Sequence, residues 1–305
     1  MGKAERNRLQ NARQKIAEQQ AAAKRAEARR RAFIAGGSVL AVIVVVAVLL
    51  VIKLNNKSAT QAGGTTAATA ASVAQSIASV PASTLDKVAA GPAYPAPNAV
   101  YPHAIQTVNP PGALLTSGGK PEVVYVGAEY CPYCAAERWA LTLALSRFGT
   151  FSGLNLIHSS STDVYPNTPT LTYLKASYTS KYLVFSSTEA QTVTHAPLQP
   201  LTALDKTLMA KYDAPPYVPS GYNGSFPFVD FGNRYVIDGA SYDPGLLAKL
   251  SWQQIATDLA DPSSKVGIAV DAAANHITAA LCKLTNNQPG NVCTSAGVSA
   301  ASGSI

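Results

Sequence analysis

Residues 120–148 read KPEVVYVGAEYCPYCAAERWALTLALSRF. Glu122 to Val126 is β-branched and apolar enough for a buried strand, while Ala135 to Phe148 carries Trp139, Leu141, Leu143 and Leu145 with few breakers and predicts a helix. The Cys-Pro-Tyr-Cys run, Cys131 to Cys134, therefore falls at a strand-to-helix junction. A thiol at a helix N-terminus meets unpaired backbone N–H groups and the positive end of the helix dipole, and both stabilise its thiolate. Pro132 stands where a helix tolerates proline best, because the N–H it lacks has no intrahelical partner there. This context makes Cys131 the expected exposed nucleophile. Cys134, further into the helix and more buried, is expected to resolve a mixed disulfide by attacking Cys131.

A plain stapling disulfide is the structural alternative for this pair. Zinc is disfavoured, because no second Cys-x-x-Cys or nearby His-x-His pair completes four ligands. Copper held by the two thiolates and one of His103, His158, His195 or His276 remains open, since copper accepts such mixed sets. The other two of the four cysteines, Cys282 and Cys293, close ITAALCKLTNNQPGNVC, where Asn286, Asn287, Pro289 and Gly290 turn the chain back. A disulfide across so short a loop reads as a structural staple, worth roughly 3 kcal/mol in the chain-entropy account. Arg138 is a helix residue that either assists a thiolate or is merely solvated, and Glu129 is a proton shuttle only if buried. Between these cysteine pairs, Phe228 to Phe231 and Arg234 to Ile237 read as two strands joined by the Gly232-Asn233 turn, with Pro227 at the entrance.

The chain has 305 residues, of which 47% are hydrophobic and 13% charged, too apolar for a disordered protein. Ten of its 24 Lys and Arg and only three of its 17 Asp and Glu precede Phe33, so the excess of +7 belongs to the tail and the rest is neutral. The globular part thus lacks the basic footprint of a nucleic-acid binder. Residues 33–52, FIAGGSVLAVIVVVAVLLVI, hold no charge and at 1.5 Å per residue span about 30 Å, a bilayer core. They predict one transmembrane helix. Arg29, Arg30 and Arg31 abut it on one side against Lys53 and Lys57 on the other, so residues 1–32 are expected in the cytoplasm and everything after Leu54 outside. Residues 53–71 read as a flexible polar linker and residues 72–300 as the folded domain. Within it, Val73, Ile77, Val80 and Leu85 suggest one helix, and the prolines at 92, 95, 97, 102, 110 and 111 predict an extended lead-in across the surface.

A buried strand, Cys-x-x-Cys, a helix, then a proline opening an antiparallel hairpin and a further helix is similar to the thioredoxin fold. That resemblance implies an α/β domain in which Pro227 is cis and faces the cysteines, with the Phe226 backbone and Tyr133 meeting an extended substrate segment. More specifically, the strings around Cys131, SSSTDVYPNTPTLTYLKASYTSKYL, SFPFVDFGNRYVIDGASYDP, LSWQQIATDL and ITAALCKLTNNQPGNVC resemble a prokaryotic family of membrane-anchored thioredoxin-like proteins, domain of unknown function 929, over about residues 72 to 300. Two departures from ordinary thioredoxins stand out: Tyr125 occupies the place of their buried acid, and Tyr130 that of their usual Trp. The stretch between Cys134 and Pro227 also exceeds the usual spacing and implies an insertion between the Cys-x-x-Cys helix and the hairpin. In that stretch Asn155 to Ser160 and Tyr182 to Ser187 read as strands and Leu198 to Lys211 as a helix. The Ser, Thr and Tyr of 159–182 suit either a substrate groove or an outer surface.

The expected function is a membrane-anchored, extracytoplasmic thiol-disulfide oxidoreductase needing no cofactor. Its expected partners are exported proteins with thiols or disulfides and a redox partner in the membrane. Cys131, Cys134 and Pro227 would be catalytic, with Cys282 and Cys293 structural. The competing expectation is a non-enzymatic thioredoxin-like binding protein or copper carrier.

Overall fold

Val123, Val124, Tyr125 and Val126 are all buried, which a strand achieves only when both faces of its sheet are covered. In the computed structural model, which describes residues 62–92 and 105–305, they form the middle of the third strand of an α/β unit spanning residues 66–305. Two helices, α1 (Ala62–Ala78) and α2 (Ala82–Val88), lead in. Strands β1 (Ile105–Thr107), β2 (Thr116–Ser117) and β3 (Lys120–Gly127) follow, then helix α3 (Pro132–Ser146). Strands β4 (Gly149–Ser152), β5 (Asn155–His158), β6 (Pro169–Thr172), β7 (Ser177–Ser180) and β8 (Val184–Glu189) precede helix α4 (Ala203–Tyr212). The hairpin β9 (Phe228–Phe231) and β10 (Tyr235–Asp238) leads to helices α5 (Trp252–Asp258), α6 (Lys265–Leu284), α7 (Gly290–Cys293) and α8 (Ala296–Ala301).

The main sheet runs β8-β3-β9-β10-β1, with the short β2 also on β3. β3 and β8 are parallel, joined through α3, and β9, β10 and β1 are antiparallel to their neighbours. Alternation along the strands divides the core. Val123, Tyr125, Val229, Phe231 and Ile237 face the side held by α3 and α6, while Val124, Val126, Phe228 and Val236 pack with Leu208, Met209 and Tyr212 of α4. Helix α3 is buried on nearly all sides, from Cys134 through Leu145, because the segment after it folds back over it. That segment builds two small antiparallel ladders, β4 with β7 and β5 with β6. Tryptophan indoles tie them down: Trp139 Nε1 donates to Pro169 O at 3.0 Å and Trp252 Nε1 to Thr170 O at 2.9 Å.

Several boundaries differ from the sequence expectations for physical reasons. The single helix expected through Val73 and Leu85 is two, because Pro81 caps α2 with an extended backbone at φ −64° and ψ 137°. The linker expected over 53–71 gives way to helix from Ala62, where a run rich in alanine buries Ala70, Val73 and Ile77 at helical spacing. The lead-in is not wholly a surface strap, since Ile105 to Thr107 pairs with Ile237 to Tyr235 as the sheet edge. Helix α4 starts at Ala203 rather than Leu198 because Thr202 and Asp205 form a reciprocal capping box. The expected tail over 1–32 and transmembrane helix over 33–52 lie outside the described residues. Among the described residues, no helix is long and apolar enough to cross a membrane.

Candidate functional site

Cys131 is the N-cap of α3, with φ −74° and ψ 121°, and Pro132 takes the first helical position. The cap geometry turns the thiol onto the helix end, where Cys131 Sγ accepts the Cys134 N–H at 3.2 Å. The same sulfur donates to the carbonyl of Phe226 at 3.5 Å, which brings the loop before β9 against the cysteines. The Phe226–Pro227 peptide is cis, and Pro227 O receives the Gly239 N–H at 2.9 Å from the far side of the hairpin. Cys131, Cys134 and Ala128 form a small apolar cluster packed by Tyr130, Tyr133 and Phe226. Both cysteines are free thiols.

The expected exposed nucleophile is in fact covered: Cys131 is 5% exposed and Cys134 fully buried. Phe226, remote in sequence, supplies part of the cover. Burial pushes the Cys131 thiol up, but hydrogen bonds from the Cys134 thiol and amide, the Arg138 charge and the Tyr133 amide outweigh it and hold the thiol below its ordinary value. Burial and the hydrogen bond to Cys131 push the Cys134 thiol well above its ordinary value. The two sulfurs are thus differentiated by environment, one toward thiolate and one toward thiol.

Arg138 is not a solvated helix residue. It is fully buried and forms a two-pronged pair with Glu189 at the end of β8, Nε to Oε1 at 2.9 Å and Nη2 to Oε2 at 2.6 Å. Nη2 also donates to Ala128 O at 2.9 Å. The guanidinium carbon lies 5.8 Å from the centre of the Tyr125 ring, and the buried Tyr125 hydroxyl has no hydrogen-bond partner among the described residues. The pair escaped sequence reading because Glu189 is distant in the chain. The one available signal was that Arg138 falls one helical turn beyond Cys134.

Glu129 is buried and its Oε1 accepts from the Thr172 hydroxyl at 2.8 Å, so it binds the inserted ladders to the loop before Cys131. The Ser and Thr of the insertion act in the same way. Ser160 N donates to Tyr130 O at 2.8 Å, and the Thr170 hydroxyl to Ala135 O at 2.8 Å. Around the cysteines, Tyr130 stacks on His195 with ring centres 3.9 Å apart, and Tyr133 meets Tyr165 edge-on at 5.9 Å. Val164 and Tyr222, on the loops next to Tyr165 and Phe226, are 63% and 55% exposed.

Of the candidate copper ligands, His103 lies outside the described residues, His158 packs on Trp252, and His276 accompanies Ser304. Among the described residues no group of three or more His, Cys, Asp and Glu side chains is gathered to hold a metal ion. Cys282 and Cys293 are joined as a disulfide, with Cα atoms 5.6 Å apart, between the last turn of α6 and α7.

Comparison with curated proteins and with solved structures finds no match. The match to a family model is narrower than the 72 to 300 expected, and it still takes in the Cys-Pro-Tyr-Cys turn, the inserted ladders, the hairpin and most of α6. Over residues 108–283, more than half its length, the chain belongs to the family described as Domain of unknown function (DUF929).

Proposed function

We propose that this chain carries a thioredoxin-like domain that exchanges thiols and disulfides with exported proteins, anchored outside the cytoplasmic membrane by residues 33–52. The strand order β8-β3-β9-β10 supports the fold reading: a parallel pair bridged by the Cys-x-x-Cys helix, then an antiparallel hairpin entered through Pro227. One observation carries the function, namely that Cys131 Sγ sits between the Cys134 N–H at 3.2 Å and the Phe226 carbonyl at 3.5 Å.

In the forward exchange the Cys131 thiolate attacks one sulfur of a substrate disulfide, the second substrate sulfur leaves as thiolate, and a mixed disulfide forms. The Cys134 thiol then gives up its proton and attacks Cys131 Sγ, releasing the first substrate sulfur and closing the Cys131–Cys134 disulfide. The reverse sequence oxidises a substrate dithiol. Phe226 O has a further part in both directions. While Cys131 is a thiol it occupies this carbonyl, and once the sulfur is bonded to substrate the carbonyl is free to accept a backbone N–H from an extended segment. Tyr133 and the exposed Val164 and Tyr222 offer apolar surface on either side, suited to a partly unfolded chain.

The test is capture of mixed disulfides in cells expressing the full chain. Cys134→Ala is expected to accumulate mixed disulfides with exported proteins, Cys131→Ala to accumulate none, and the Cys282→Ala, Cys293→Ala double variant to leave exchange intact. Absence of adducts with Cys134→Ala would sink the proposal.

A further inference from the structure

Cys131, Cys134 and Arg138 stand at i, i+3 and i+7 along the start of α3 and so share one face. Arg138 reaches back along that face to Ala128 O, the carbonyl that also receives the Cys131 N–H at 3.3 Å. A buried cation is therefore bonded into the turn that carries the nucleophile. Its partner carboxylate is engaged elsewhere as well, since Glu189 Oε1 takes the Tyr173 N–H at 3.3 Å. Arg138 Nη1, by contrast, is buried with no hydrogen-bond partner among the described residues. Beside the guanidinium, 5.8 Å from its carbon to the ring centre, Tyr125 is a phenol that burial keeps neutral.

We propose that Arg138 is a positioning residue that biases the Cys131–Cys134 disulfide toward accepting electrons, so that the site oxidises substrate dithiols. The proposal rests on the exchange reading above. In that step the Cys131–Cys134 S–S bond breaks and a substrate S–S bond forms. Two electrons pass from substrate to the pair, and the two substrate thiol protons go to Cys134 and to solvent or Cys131. A buried positive charge favours the product of that step, in which Cys131 is thiolate, and has little hold on the neutral disulfide. The Arg138 charge acts in the thiolate's favour at both cysteines.

The experiment equilibrates the full chain in detergent with reduced and oxidised glutathione and counts Cys131 and Cys134 thiols by mass. Arg138→Met alone would strand Glu189, so the variant is Arg138→Met with Glu189→Gln, compared by thermal melting to confirm folding. At about pH 8 its equilibrium constant for reduction is expected to fall about tenfold below wild type, Glu189→Gln alone to raise it, and Arg138→Lys to restore it. The gap should close toward pH 5, where the sulfur is a neutral thiol that the charge does not favour. A double variant that matches wild type at about pH 8, or a gap that does not change with pH, overturns the role of Arg138 and leaves exchange standing. Failure of the wild-type pair to equilibrate with glutathione overturns both.

Discussion

Cys131 combines two properties that usually oppose each other, burial and thiolate character. Burial raises a thiol, and here the Cys134 thiol and amide, the Arg138 charge and the Tyr133 amide more than offset it, while at Cys134 burial and the bond to Cys131 outweigh the lowering by Arg138 and the Ala128 backbone. In the reduced protein, iodoacetamide near neutral pH is therefore expected to modify Cys131 alone, with a midpoint below the ordinary cysteine value of about 8.5. Peptide mass spectrometry across a pH series checks this, and equal labelling of both cysteines would contradict it. The cap role of Cys131 was legible from Cys-Pro-Tyr-Cys after a β-branched strand, because capping is a local property. Its cover was not, since Phe226 arrives from another part of the fold. The choice for Arg138 between assisting a thiolate and being solvated stays open in the sequence for the same reason: it is decided by the strand end bearing Glu189.

At the scale of elements, α3 and α6 are packed so closely that acids are caught between or beside them. Glu137 on α3 is fully buried and pushed up to about 7, and Asp271 on α6, with neither carboxylate oxygen hydrogen-bonded among the described residues, to about 8, both chiefly by burial. In the hairpin, Asp230 is pushed to about 7 and Asp238 to about 8 by burial, with nearby Asp213 adding to the latter. Each is an acid whose folded value lies above its unfolded one, so between roughly pH 4 and 8 the folded state holds more protons than the unfolded state. Stability is present at the acid end of that window and falls as pH rises through it. The melting temperature is expected to be higher near pH 5.5 than near pH 8.5, and Asp271→Asn to flatten the slope by stabilising the protein at the alkaline end with little change at the acid end. A profile that rises with pH would refute the assignment. None of these carboxyls was legible as buried. The strands β3 and β9 and helix α3 were, because hydrophobic runs and a proline report locally, whereas a buried acid is defined by what packs over it.

At the scale of the whole molecule, two unrelated features bear on the proposed placement of the domain outside a membrane. The excess positive charge is confined to the residues before Phe33, beside a run of twenty uncharged residues, and the remainder of the chain is neutral. If residues 33–52 anchor the chain as proposed, a Lys and Arg bias of that size would keep its own side in the cytoplasm and leave the domain outside. Independently, Cys282 and Cys293 form a disulfide, which persists in oxidising compartments and is rare where glutathione keeps thiols reduced. The proposed oxidising exchange at Cys131 and Cys134 would share that compartment with the proteins it acts on. In intact cells, a membrane-impermeant maleimide is thus expected to label a cysteine introduced as Thr60→Cys and to miss one introduced as Ala12→Cys, with both labelled after lysis. Replacing Arg29, Arg30 and Arg31 with Gln is expected to weaken that asymmetry, because it removes the charges closest to the apolar run. Labelling of the Thr60→Cys site only after lysis would put the domain in the cytoplasm, where an oxidising role for Cys131 and Cys134 has no place.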